Sequence, residues 1–143
     1  EMCIRDRYLD SVKAAIGEKG LESCVFWQKK APQYQMKGVY QQADFFLLPT
    51  EYEIFGMVLL EAMFFRRVVL TTPNGGADML LRSGENGLVL EKSDPARWAK
   101  ALLDTAADPE KKARMEQAAY ETVIHENTWD ALADRFLAVY EKR

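Results

Sequence analysis

FFLLPTEYEIFGMVLLEAMFFRRVVLTT, residues 45–72, holds the pattern that decides the fold. Phe45 to Leu48 is a fully apolar run stopped by Pro49, which reads as a buried strand. Ile54 to Phe65 carries a single charge, Glu61, and Met57 to Phe65 reads as a helix apolar on nearly every side, hence a buried one. Val68 to Thr72 is β-branched and apolar, a further strand. Continuous apolar strands joined through a helix point to a parallel sheet covered on both faces.

Working outward, the same alternation continues. Leu9, Val12, Ala15 and Ile16 keep helical spacing up to Gly17–Gly20, and Cys24 to Trp27 is a short strand candidate. Gln33 to Gln42 reads as a weak helix. Beyond the central stretch come a Pro73–Gly76 loop, a short helix over Ala77–Leu81, a turn over Gly84–Gly87 and a strand over Leu88–Leu90. The order α-β-α-β-α-β-α-β predicts an α/β fold: a Rossmann-like, doubly wound parallel sheet with right-handed crossovers, followed by C-terminal helices. Ser93 or Asp94 with Pro95, and Asp108 with Pro109, are start signals for two of those helices. Asn127 or Thr128 caps the last, whose Trp129, Leu132, Ala133, Phe136 and Tyr140 share one face.

Bulk properties exclude several classes. A chain of 143 residues is long enough for one domain with a substantial core. Net charge is -3 and the estimated pI about 5.3, so no global charge draws it to nucleic acid. No apolar run approaches the roughly 20 residues of a membrane helix, and no secretory signal is visible. The chain therefore reads as soluble, in a reducing cytoplasm by default. Cys3, Cys24 and the single His125 make neither a disulfide framework nor a metal cluster. His125 reads as lying between two helices, with no nucleophile elbow anywhere.

Residues 1–7, EMCIRDR, stand apart. Met2 to Arg7 resembles the one-frame translation of a transposon end used in preparing sequencing libraries, so 1–7 is expected to be a non-native scar and 8–143 the domain. The alternative is a natural polar N-terminus.

Glu61 carries the chemical argument. An ionised carboxylate on a buried helix costs several kcal/mol unless partners satisfy it. Met57, Leu60, Glu61 and Phe64 fall at i, i+3, i+4 and i+7, which places Glu61 on a stripe of core residues. It faces either a ligand cleft, a wet side of the helix or a structural Arg. In an open parallel sheet ligands collect beyond the C-terminal strand ends, where Pro49–Gly56 and Pro73–Gly76 lie. Gly56 permits close backbone approach, and the free N–H groups near Gly56, Met57 and Val58 offer a site for an anion such as diphosphate. Glu53 ahead of the helix and Glu61 two turns along could accept hydroxyl hydrogen bonds, a combination that suits a sugar nucleotide.

ADFFLLPTEYEIFGMVLLEAM, followed by VVLTT, NGG and ENGLVL, resembles the C-terminal half of a family 4 glycosyltransferase of the GT-B fold, whose signature is a Glu, seven residues, then a Glu. The resemblance runs from about Tyr8 to Arg143. It implies that Glu53, the catalytic candidate, contacts donor-sugar hydroxyls and that Glu61 binds the nucleotide ribose. Backbone amides around Phe55, Gly56, Met57 and Val58 would meet the sugar and diphosphate, Gly75 and Gly76 would flank the donor, and Gln28, Lys29 and Lys30 would lie near the base. The implied activity is retaining transfer of a sugar from a nucleotide-diphosphate sugar to a hydroxyl acceptor, without metal or other cofactor, in the manner of polysaccharide biosynthesis. The different reading is a non-catalytic nucleotide or nucleotide-sugar binding module, in which Glu53 is dispensable.

Two departures accompany the resemblance. Arg66 stands where the family usually has a helix-terminating Gly, and Val68 where it has Pro. An Arg in the left-handed conformation costs on the order of 1–2 kcal/mol, so Arg66→Gly is expected to raise the melting temperature. The basic pair that neutralises the diphosphate and the N-terminal acceptor-binding domain would lie upstream of Tyr8. The chain is thus expected to be a fragment truncated at its N-terminus, inactive alone, with part of the face around Trp129 and Phe136 exposed. Cytoplasmic placement is expected, with peripheral membrane association of the intact protein left open.

Overall fold

The computed structural model describes residues 2–28, 31–92 and 94–141. Two compact units divide the chain, Glu1–Gln33 and Tyr34–Arg143. In the first, helix α1 (Met2–Glu18) ends in a turn where Gly20 adopts φ 63° and Leu21 N–H donates to Ile16 O at 3.0 Å. The predicted strand at Cys24–Trp27 does not form. Cys24 and Val25 N–H both donate back to Leu21 O, at 2.9 and 3.1 Å, which closes a turn and removes the groups a ladder would use.

The second unit follows the predicted alternation, with helix α2 (Gln33–Gln42) running into it, then strand β1 (Phe45–Leu48), helix α3 (Met57–Phe64), strand β2 (Val68–Thr71), helix α4 (Gly75–Leu80) and strand β3 (Leu88–Val89). Helices α5 (Pro95–Ala106), α6 (Pro109–Glu126) and α7 (Trp129–Tyr140) complete it. The sheet is parallel in the order β1-β2-β3, with Phe45 opposite Val68 and Leu70 opposite Leu88.

Side chains alternate across a strand, and β2 shows what that alternation achieves. Val69 points into a core with Tyr40, Leu59, Ala62, Met63, Leu80, Ala119 and Val123. Val68 and Leu70 point into a second core with Leu90 and Met115, covered by Trp98, Ala101 and Leu102 of α5. Helix α6 contributes to both, Met115 to one and Ala119 with Val123 to the other. The start signals hold: Asp94 accepts from Arg97 N–H and Asp108 from Lys111 N–H, each at 2.9 Å, and Thr128 caps α7 by accepting from Ala131 N–H.

The phase of α3 differs from the predicted stripe. Leu59, Ala62 and Met63 are buried, whereas Met57 is 61% and Phe64 47% exposed and Glu61 sits half-buried between them. Apolar side chains all round the helix give periodicity nothing to choose between, and only packing against β2, α4 and α6 fixes which side is inward. His125 lies in the last turn of α6 and is exposed, a continuation of that helix beyond its expected end.

Candidate functional site

The C-terminal strand ends are braced by hydroxyls and one amide. Thr71 Oγ1 donates to Leu48 O at 3.0 Å, tying β2 to β1 at their last residues, and Thr72 Oγ1 donates to Thr50 O. Asn74, 8% exposed, donates through Nδ2 to Thr71 Oγ1 and Thr72 O, while its Oδ1 accepts Ala77 N–H at 2.9 Å and caps α4. Every polar atom of that amide is therefore engaged in holding the loop, which explains a buried Asn at this point.

Onto this frame the segment 53–56 is folded tightly. Gly56 is the N-cap of α3 at φ 71°, ψ 59°, a left-handed conformation that favours Gly. The Glu53 carboxylate curls back, its Oε1 accepting Gly56 N–H at 3.0 Å and Phe55 N–H at 3.3 Å. This corrects the expectation of free N–H groups throughout the segment. Those of Phe55 and Gly56 serve Glu53, because they lie two and three residues on, within reach of its side chain. Those of Met57 and Val58, at the first two helical positions, have no acceptor within the helix. Glu53 itself is half-buried.

Gly75 and Gly76 meet the same segment through backbone. Gly75 N–H donates to Glu53 O at 3.1 Å. A Cβ on Gly75 would stand 2.5 Å from Ile54 O, and one on Gly76 2.2 Å from Phe55 O. The glycine pair lets α4 start in direct contact with the loop that carries Glu53, so its effect on a ligand would pass through loop placement.

Glu61 sits four residues into α3, about 6 Å along its axis from Met57. Its Oε2 accepts a hydrogen bond from Tyr40 Oη at 2.9 Å, and the partner comes from α2, not from a structural Arg. Tyr40 is 4% exposed and stacks on Phe65 with centroids 5.4 Å apart. Burial first, then the hydrogen bond and charge of Glu61, push the phenol well above its ordinary value, so it remains a neutral donor. Tyr40 carried no role in the sequence reading. The available signal was a buried-helix Glu in search of a donor, together with a Tyr on a neighbouring helix.

At the rim, Lys92 pairs with Glu51 and holds that carboxyl below the usual range by its hydrogen bond and charge. Arg66 and Arg67 are occupied elsewhere. The Arg66 guanidinium lies 4.1 Å from the Tyr120 ring centroid and bonds Gln117, and Arg67 donates to Phe65 O and Ala43 O. Gln28 belongs to the first unit, and Lys29 and Lys30 lie outside the described residues, so the proposed base loop has no geometry here. Among the described residues no group of three or more His, Cys, Asp or Glu could hold a metal ion.

A separate cavity of about 610 Å³ opens between the start of α3, the end of α4 and α7. Phe55, Met57, Leu60, Met79 and Trp129 give it an apolar part, Asn127, Thr128 and Arg135 a polar one, and neither Glu53 nor Glu61 lines it.

Residues 4–122 match the family described as "Glycosyl transferases group 1". A D-inositol 3-phosphate glycosyltransferase of Corynebacterium jeikeium (strain K411) is 30% identical over 134 residues, which cover 94% of this chain and 32% of that protein. The chain thus spans about a third of the length of this curated relative. Among solved structures, sucrose-phosphate synthase from Thermosynechococcus elongatus superposes with a TM-score of 0.80 at 24% identity, covering 92% of this chain and 33% of the other. Anabaena Alr3699/HepE in complex with UDP-glucose gives 0.78 at 21% identity, covering 96% and 38%.

Proposed function

The chain belongs to the group 1 glycosyl transferases, as a C-terminal domain of GT-B type, and we propose that it is the donor-binding half of a retaining, family 4 enzyme. This enzyme would move a sugar from a nucleotide-diphosphate sugar to a hydroxyl acceptor. The observation that carries the reading is the pair of half-buried carboxylates flanking the start of α3 at the C-terminal edge of the sheet. Glu53 lies against the amides of that start and Glu61 is held by Tyr40. In this reading Glu53 takes donor-sugar hydroxyls, Glu61 takes the ribose, and the Met57 and Val58 amides face the diphosphate with the positive end of the helix dipole. The bond from the anomeric carbon to the diphosphate breaks, the acceptor oxygen bonds to that carbon on the same face, and the hydroxyl proton leaves with the diphosphate.

Charge on the departing diphosphate would be met by the helix start and by basic residues outside these 143, with no metal or other cofactor. The acceptor site would belong to an N-terminal domain also outside them, so the chain alone would bind donor and transfer nothing. We place the reaction in the cytoplasm, with any membrane contact peripheral, at the inner face, and made by the rest of the protein.

Glu53→Gln compared with Glu61→Gln, in the protein encoded by the complete gene, tests this. Both variants are expected to lose sugar transfer by about 100-fold or more, and only Glu61→Gln to weaken binding of the bare nucleoside diphosphate. Wild-type transfer by Glu53→Gln would sink the catalytic reading. A specific observation then favours a binding module instead: Glu53 already satisfies its own loop, and a Glu kept for that purpose need touch no sugar.

A further inference from the structure

We propose that Tyr40 is a positioning residue for Glu61, holding Oε2 so that Oε1 is the oxygen offered to the two neighbouring hydroxyls of a ribose. The inference rests on the reading of Glu61 given above. A free glutamate on a half-buried helix face can turn about three side-chain bonds, and its carboxylate would spend those rotations on binding a diol. Here one oxygen is fixed before any ligand arrives.

The fixing group is itself well anchored. Tyr40 lies on α2, 21 positions before Glu61, with its ring near-parallel to Phe65 (14° between planes) and tilted against Phe46 at 6.0 Å. It has no room to follow a moving partner, since it packs in the core with Leu59, Met63 and Val69. Among the described residues Glu61 is the sole acceptor for its hydroxyl, and a buried hydroxyl without an acceptor is strongly disfavoured. Glu61 swinging away would orphan that hydroxyl, so the pair resists rearrangement from both sides. Burial first, then Glu61, raise the phenol well above its ordinary value, which keeps the hydroxyl a donor at neutral pH.

Tyr40→Phe removes the hydroxyl and keeps the ring that packs on Phe65 and Phe46. Affinity is measured for the tightest-binding of the uridine, adenosine and guanosine diphosphates, and for its dideoxyribose analogue, which lacks both ribose hydroxyls. Tyr40→Phe is expected to weaken the ribose form about fivefold and to leave the dideoxy form unchanged. Equal weakening of both forms would make Tyr40 a packing residue only, and no weakening of either would remove its role; each overturns the inference. Glu61→Gln measured alongside separates the two levels. If it weakens only the ribose form while Tyr40→Phe does not, Tyr40 alone fails. If Glu61→Gln does not distinguish the two forms, or no diphosphate binds, the assignment of Glu61 fails and the positioning role with it.

Discussion

Arg66 closes α3 at φ 57°, the one non-glycine residue with positive φ among those described. Its N–H donates to Met63 O at 3.0 Å and Arg67 N–H to Ala62 O at 2.9 Å, the paired bonds of a Schellman ending. The backbone cost is about 1 kcal/mol or more, but the guanidinium over Tyr120 returns about 0.5–1 kcal/mol, so the gain expected of Arg66→Gly shrinks toward zero. Comparing Arg66→Gly with Arg66→Ala isolates the backbone term, because both lose the side chain and only Gly loses the strain. By chemical denaturation the Gly variant should be the more stable by about 1 kcal/mol, and equal stabilities would contradict the strain. This position was legible only through the resemblance, which puts a helix-terminating Gly where Arg66 stands. Glu61's partner was not: Tyr40 sits in a helix whose sequence is mostly polar, and no local spacing links it to a residue 21 positions on.

At the scale of elements, the contact between α4 and the loop before α3 decides whether Glu53 is placed at all. Gly75→Ala and Gly76→Ala would each push a methyl into a backbone carbonyl, at 2.5 and 2.2 Å, where no flexible side-chain end can yield. Each should destabilise by roughly 1–3 kcal/mol, the Gly76 variant more, with parallel loss of nucleotide-sugar affinity in binding titrations. Stability unchanged in either variant would show that the two elements are not packed this closely. The glycines read as loop beside the ligand edge, whereas Asn74 caps α4 ahead of them and puts both in its first turn, and their packing role required knowing that 53–55 runs against them. The turn at 84–87 forms where expected and centres on a fully buried side chain. Asn86 donates to Leu80 O and Thr122 Oγ1 at 3.0 Å each and accepts Arg82 N–H at 2.7 Å, which pins the turn to α6. The strand expected at Cys24–Trp27 had the composition of a strand, and composition says nothing of whether a partner edge is present.

For the molecule as a whole, the doubly covered sheet was legible because its strands are apolar on both faces, and an apolar face must be covered. α7 departs from that economy. None of its residues is buried, and Trp129, Phe136 and Tyr140 are 86%, 65% and 71% exposed, in line with the exposure expected of this face. α6 is its opposite, since the two cores under β2 have no other helix in common. A lesion under either face should therefore be felt through α6 on the other, and the two faces are expected to open together. In native-state hydrogen exchange the amides of β2 and α6 should share a single, slowest opening, while those of α7 exchange by a shallower one; distinct openings for Met115 and Val123 would break that link. The sheet and its longest covering helix amount to one cooperative unit, and the carboxylate-bearing edge inherits its rigidity from a helix that never comes near it in sequence.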